Sequence, residues 1–378
     1  MRTPCDPKVS PTVNSQWWNS NVAYSKFRRQ GIDIVCASFT HEMNPKANVV
    51  FVTGLMESFV KYSETIQYLY EKGFNVHTYD HQSQGLSGRW LSESQSLWVN
   101  SFEDYVDDFV YFVTMVSKES SELPVFLVAH SMGGLISSMA MSRLPSLINR
   151  AVLCAPMIRN KCGMKFIDYK YPLPQPVAYW ATYVACYAGL GTMHALGYFK
   201  EKPTDKLSLN VTTSDQNQLN AWQDLRMRYP RLIATCVTND WLITSIRAQK
   251  RFSHRYEFVR TNTLLLSAET DYFVNNRGIY SFAKTAPAAK LFTVPESFHE
   301  LLLEREPVRD ASRKVICDFF TQTSDSVALV EPCYPLVEYD PNTPMYSVPE
   351  IIGRSVGLLL AAVGLVTGMA MIFGDRKR

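Results

Sequence analysis

Between Val125 and Pro145 the chain reads VFLVAHSMGGLISSMAMSRLP, and this stretch constrains the fold more than any other. Val125–Ala129 is a short apolar run with β-branched residues, the pattern of a buried strand. Leu135, Ile136, Met139 and Ala140 then recur at helical spacing, and Pro145 closes the helix. Between them sits His-Ser-Met-Gly-Gly. A side chain on so tight a strand-to-helix turn needs small neighbours, because the backbone is strained and its flanks pack closely. Ala129 and Gly133 supply them on either side of Ser131. The spacing therefore predicts an elbow with Ser131 at its tip, placed as a nucleophile.

The rest of the chain extends the same alternation. Strand patterns fall at Ile32–Phe39, Val49–Gly54, Phe74–Asp80, Ala151–Ala155, Thr263–Ala268 and Lys290–Val294. Helical patterns fill the gaps at Glu57–Lys72, Phe102–Ser117, Leu135–Leu144, Asn276–Thr285 and Val308–Phe320. Such alternation predicts an α/β fold, a mostly parallel sheet with helices on both faces. One stretch breaks it, from about Met157 to Arg255. Tyr171 through Phe199 is aromatic and uncharged, but Pro172, Pro174 and Pro176 plus three glycines leave no clean membrane span. The stretch reads as a cap inserted over the carboxyl edge of the sheet, its apolar surface facing a greasy ligand or a bilayer. The expected division is an N-terminal extension (1–30), a first core part (31–156), the cap (157–255), a second core part (256–338), a linker (339–354) and an apolar terminal run (355–373).

That terminal run, SVGLLLAAVGLVTGMAMIF from Ser355 to Phe373, is 19 uncharged residues, about what a helix needs to cross a bilayer core. It shows no polar stripe, as a core helix of that length normally would. A GPI signal ends in its hydrophobic tail, whereas GDRKR follows here. Gly364 and Gly368 form a small-xxx-small pair, a hint of helix pairing. The expectation is a single-pass C-terminal anchor behind a Pro-rich linker. Met1–Gln30 is polar, with no apolar core of a signal peptide, which places the catalytic domain on the cytosolic side. The 8 cysteines are scattered without metal-ligand spacing and fit buried thiols in a reducing compartment. With 378 residues, 46% hydrophobic and a net charge of +3, the chain holds a large core and argues against a nucleic-acid partner.

A serine hydroxyl needs a base, itself oriented by an acid. His130 is adjacent to Ser131, and neighbours on an elbow point apart. His41, His77 and His81 precede the elbow, His194 lies in the cap and His254 borders it. His299, in the loop PESFHELLLE after the last strand, stands where a base would follow the serine in chain order. A zinc reading of its His-Glu pair fails, because a second histidine is needed at i+4 and Leu303 is there. The acid should follow a strand between cap and base. TNTLLLSAETDYFVNNR offers Asp271, further past the strand and freer to turn, with Glu269 as the alternative. Asp80, Asp107 and Asp108 read as turn and solvated helix residues. Backbone N–H groups of Met132, after the nucleophile, and Leu55, in the loop after an earlier strand, are the expected oxyanion donors.

These segments, with GLMESFVKYSE, GFNVHTYDHQSQGLSGR and FEDYVDDF, resemble the bacterial lysophospholipases and related monoacylglycerol lipases of the α/β-hydrolase superfamily. The resemblance covers about Val49–Phe320 and is weakest across the cap. The Ala-His-Ser-Met-Gly-Gly elbow is similar to the lysophospholipase branch, where monoacylglycerol lipases usually carry Gly-His-Ser-Met-Gly-Gly. It implies serine-dependent hydrolysis of one acyl ester on glycerol without metal or cofactor, with Ser131, Asp271 and His299 matching nucleophile, acid and base. The expected partners are a lipid substrate and a membrane. Two departures stand out: Thr53-Gly54 where many members have His-Gly, and Gln82-Ser83 in place of an Arg-Gly-like pair. A monoacylglycerol lipase, an acyltransferase and a catalytically silent lipid-binding scaffold are the competing readings.

Overall fold

The structure, a computed structural model, describes residues 2–92, 95–162, 173–207, 209–322 and 337–338. In chain order its elements are β1 (Thr3–Pro4), α1 (Ser15–Asn21), β2 (Ala23–Arg29), β3 (Ile32–Phe39), β4 (Asn48–Val52), α2 (Ser63–Glu71), β5 (Asn75–Tyr79), β6 (Ser96–Leu97) and α3 (Phe102–Glu119). There follow β7 (Val125–His130), α4 (Met132–Met141), β8 (Arg150–Cys154), α5 (Gln175–Tyr187), α6 (Gln216–Arg228), β9 (Cys236–Val237) and α7 (Asn239–Phe252). The last described elements are β10 (Asn262–Ala268), α8 (Asn276–Thr285), β11 (Ala289–Val294), α9 (Glu306–Thr321) and β12 (Val337–Glu338). The main sheet runs β1-β2-β3-β5-β4-β7-β8-β10-β11-β12, parallel from β5 to β11.

Period-two alternation sorts the strand residues onto two faces. Val50, Val52, Leu127, Ala129, Leu153 and Leu265 pack with α3, α4, α7 and α8. Val49, Phe51, Val128, Val152, Leu264 and Leu266 pack with α1, α2 and α9. With both faces covered, a one-residue slip would exchange the two sets and leave neither layer matched, so the register is firmly set. β4 pairs with β7 from Asn48–Val125 to Val52–Ala129, and β7 with β8 from Phe126–Arg150 to His130–Cys154. The loops after β4, β7 and β8 therefore emerge side by side at the carboxyl edge.

The N-terminal residues do more than extend the chain. β2 pairs antiparallel with β3 from Ala23–Ser38 to Arg29–Ile32, closed by Gln30 and Gly31 at φ 47° and 88°, as a two-residue hairpin with both φ positive requires. Trp18 is fully buried and donates its indole N–H to the Tyr24 hydroxyl at 2.9 Å. Polar composition hid this strand because it lies near the sheet's edge, with Lys26, Arg28 and Arg29 interleaved. Within residues 157–255, α5 packs on α7, while Trp241, Ile246 and Phe252 of α7 join the core layer of α3. Among the described residues no helix is long and apolar enough to cross a membrane. The Ser355–Phe373 run and the 339–354 linker lie outside the described residues.

Candidate active site

Ser131 sits between β7 and α4 at φ 49°, ψ −115°, a conformation costly for a residue with a Cβ. Backbone bonds to its neighbours hold it there. Its N–H donates to Cys154 O at 3.0 Å, and its carbonyl accepts from Gly134 N at 3.0 Å and Met157 N at 2.8 Å. Gly133 must be small, since a Cβ there would lie 2.6 Å from Thr53 O and 2.8 Å from Val52 Cγ1. The elbow therefore requires both the β4 loop and the β8 loop beside it.

His299 lies in the loop between β11 and α9. Its Nε2 is 2.9 Å from Ser131 Oγ and its Nδ1 2.7 Å from Asp271 Oδ2. With Nδ1–H donating to the carboxylate, Nε2 is left to accept the serine proton. The other Asp271 oxygen accepts from Phe273 N and Val274 N, both at 2.8 Å. Burial alone would raise the Asp271 pKa, but the His299 charge and hydrogen bond, with the two N–H donors, hold it below the ordinary 3.8. Glu269, the alternative acid, is exposed and accepts from Glu296 N at 2.7 Å instead. Ser131, Asp271 and His299 are all buried, at 6%, 4% and 6% exposure, which strengthens the interactions among them.

Met132 opens α4, so its N–H is among the first-turn donors that have no partner within the helix. Leu55 follows Gly54, which also approaches the elbow closely. A Cβ on Gly54 would lie 3.0 Å from Ser131 Cβ and 2.8 Å from Glu57 Oε2. The Leu55 peptide is thus brought against the elbow by the missing side chain.

Behind the histidine lies a buried charged cluster that motif reasoning missed. Glu57 Oε2 accepts from Gly54 N at 2.5 Å and lies 3.1 Å from His130 Nδ1, while Glu57 Oε1 accepts from Tyr62 at 2.7 Å. Lys61 Nζ bridges Glu57 at 3.1 Å and Glu300 at 2.5 Å. His130 Nε2 is 3.2 Å from the His299 carbonyl, its ring 4.8 Å from the His299 ring. Burial opposes charge at Glu57, Lys61 and His130. Even so, Lys61 and His130 hold Glu57 well below 4.5, Glu300 and Glu57 hold Lys61 above 10.5, and Glu57 holds His130 above 6.5. A signal was present in the sequence, since Glu57 and Lys61 are four apart. Asp108, read as a solvated helix residue, is instead buried between Arg29 Nε at 3.3 Å and Gln82 Nε2 at 2.8 Å. Asp80 is a turn residue but fully buried; burial pushes its pKa up to about 6 against the pull of Leu86 N, Phe59 N and the Ser58 hydroxyl.

The cap reaches this loop directly. Thr212 O accepts from Glu300 N at 2.8 Å, and Ser214 donates its N–H and hydroxyl to the fully buried Glu304 carboxylate, which also accepts from Phe298 N at 2.9 Å.

A family model described as serine aminopeptidase, S33, matches residues 43–306. Lysophospholipase L2 of Escherichia coli K12 is 29% identical over 281 residues, 72% of this chain and 80% of that protein. Rat (Rattus norvegicus) monoglyceride lipase is 32% identical over 125 residues, 33% of this chain and 40% of the relative. Among solved structures, a soluble variant of monoglyceride lipase from Saccharomyces cerevisiae superposes with a TM-score of 0.62, at 15% identity, over 84% of this chain and 97% of the other.

Proposed function

The chain belongs to the serine aminopeptidase, S33, family, as a serine hydrolase of the α/β superfamily, and from that premise we propose that it is a membrane-associated lysophospholipase. The observation that carries the reading is the hydrogen-bonded line from Ser131 Oγ through His299 to Asp271, at 2.9 and 2.7 Å. In this reading the acyl chain lies under the cap. Ser131 Oγ attacks the ester carbonyl as its proton passes to His299 Nε2. The oxyanion forms against the Leu55 and Met132 N–H groups. Collapse expels the glycerol oxygen, protonated by His299, and leaves an acyl-serine. Water, deprotonated by the same imidazole, then releases the fatty acid and restores Ser131.

Lysophospholipid is favoured over monoacylglycerol because similarity to lysophospholipase L2 spans 72% of the chain, against 33% for rat monoglyceride lipase. Membrane association draws on α5, whose Trp180, Tyr183, Val184 and Tyr187 lie at helical spacing and are exposed, Tyr187 at 86%. An outward apolar helix face suits a bilayer surface. Hydrolysis of lysophosphatidylcholine and monoolein, measured side by side, tests the substrate. Preference for monoolein makes the protein a monoacylglycerol lipase, and inertness to both with an unreactive Ser131 makes it a scaffold.

A further inference from the structure

The geometry points to Gln84 as a positioning residue that aims the Leu55 N–H at the reacting oxygen, an inference that rests on Ser131 being the nucleophile. Gln84 lies in the turn after β5 and is fully buried. Both ends of its carboxamide bond the loop that follows β4. Nε2 donates to Gly54 O at 2.8 Å and to Glu57 O at 3.0 Å, and Oε1 accepts from Met56 N at 3.1 Å.

The consequence follows from peptide geometry. Gly54 C=O and Leu55 N–H belong to one planar peptide, which is trans here, so the two groups point in opposite directions. Fixing that carbonyl on Gln84 fixes where the N–H aims. The same peptide lies against the elbow, as a Cβ on Gly54 would meet Ser131 Cβ at 3.0 Å. Glu57 secures the other side of Gly54 by accepting its N–H. Gln84 is itself held from below: its N–H donates to His81 O at 3.2 Å, its carbonyl accepts from Ser87 N at 3.2 Å, and Ser83 and Gly85 flank it at φ 67° and 56°.

The chemistry asks for an uncharged group that is both donor and acceptor. A carboxylate at this position would face two carbonyl oxygens and add negative charge beside the developing oxyanion. A methionine fills the space and bonds nothing.

The test uses full-length protein with p-nitrophenyl butyrate, an ester that does not depend on headgroup preference, and an alkyl trifluoromethyl ketone, whose hemiketal oxyanion needs the same donors. Gln84→Met should lower kcat by roughly 10–10²-fold, somewhat less than loss of an oxyanion donor outright. KM should stay within about twofold while the trifluoromethyl ketone weakens in parallel with kcat. For Gln84→Glu, kcat relative to wild type should rise on acidification from about pH 8 to pH 5, because the protonated carboxyl again offers a donor and an acceptor. A lowered melting temperature with kcat and ketone affinity unchanged overturns the proposal. Should Gln84→Met fail to fold, Gln84→Glu decides: recovery in acid supports the role, and no recovery rejects it. A wild type that takes no fluorophosphonate label overturns both this inference and the reading of Ser131, whereas a labelled, ester-cleaving wild type that ignores lysophosphatidylcholine removes only the proposed substrate.

Discussion

Ser131 is held at positive φ by its neighbours rather than by its own preference, so the hydroxyl can be removed without disturbing what holds the elbow. Ser131→Ala should therefore keep the fold, lose at least about 10³-fold in ester hydrolysis and refuse a fluorophosphonate probe. Persistent labelling would point to another serine. Asp271 and Glu269 differ in what they touch: Asp271 orients the imidazole, while Glu269 bonds the Glu296 backbone. Asp271→Asn should cost on the order of 10³–10⁴-fold in kcat, since the wrong imidazole tautomer is then favoured, and Glu269→Gln should cost little. A reversed order moves the acid to Glu269. Asp271 also has a signature in stability. Its folded pKa lies below 3.8, so its contribution is full above that value and fades as pH falls through the folded pKa. The melting-temperature gap between wild type and Asp271→Asn should accordingly narrow below about pH 4. A gap that stays constant down to strong acid would show that the carboxylate is not held by its charge.

Helix α5 presents its apolar residues outward, the reverse of an ordinary surface helix, with only Ala178 and Thr182 buried. Trp180→Ser combined with Tyr187→Ser should reduce hydrolysis of lysophosphatidylcholine in vesicles by roughly tenfold or more, since each exposed aromatic contributes on the order of 1 kcal/mol when it leaves water. Cleavage of p-nitrophenyl butyrate in solution should be unchanged. Equal loss on both substrates would mean that α5 shapes the acyl site rather than a lipid contact. The same scale shows where sequence reading reaches. The central strands β4, β7, β8 and β10 are largely apolar runs, and the expected bounds match β3 to the residue and β4, β5, β7, β8, β10 and β11 to within one or two. β2 escaped because its outward residues are charged, and its inward Phe27 is a single apolar landmark. The order serine, acid, histidine pointed to three side chains that do meet in space. Of the cluster of Glu57, Lys61, Glu300 and His130 only the four-residue spacing of Glu57 and Lys61 was legible, because burial of a charge is a property of tertiary packing and not of local pattern.

At the scale of the whole molecule, an anchor formed by Ser355–Phe373 would place the folded part on one side of a membrane. The described residues include cysteines at positions 5, 36, 154, 162, 186, 236 and 317, of which Cys36, Cys154, Cys162, Cys236 and Cys317 are buried. Scattered, mostly buried cysteines suit a reducing compartment better than a disulfide framework. The charge pattern argues the other way, because Arg376, Lys377 and Arg378 follow the apolar run and basic flanks tend to stay cytosolic. Arg354, on the near side, offsets that only in part. We favour the thiol argument and propose that the folded part faces the cytosol, with Ser355–Phe373 as the anchor and GDRKR beyond the bilayer. Asn210-Val211-Thr212 provides the test: Asn210 is exposed, at φ 58°, so a glycosyltransferase would have access to it in a secretory lumen. The expected result is an Asn210 without glycan, and loss of the catalytic part to protease added outside intact organelles. Truncation before Ser355 should release protein that still cleaves p-nitrophenyl butyrate at the wild-type rate, because α9, the last helix among the described residues, ends at Thr321. A glycosylated, protease-protected domain would reverse the topology, and a truncated chain that still sediments with membranes would move the attachment from the terminal run to α5.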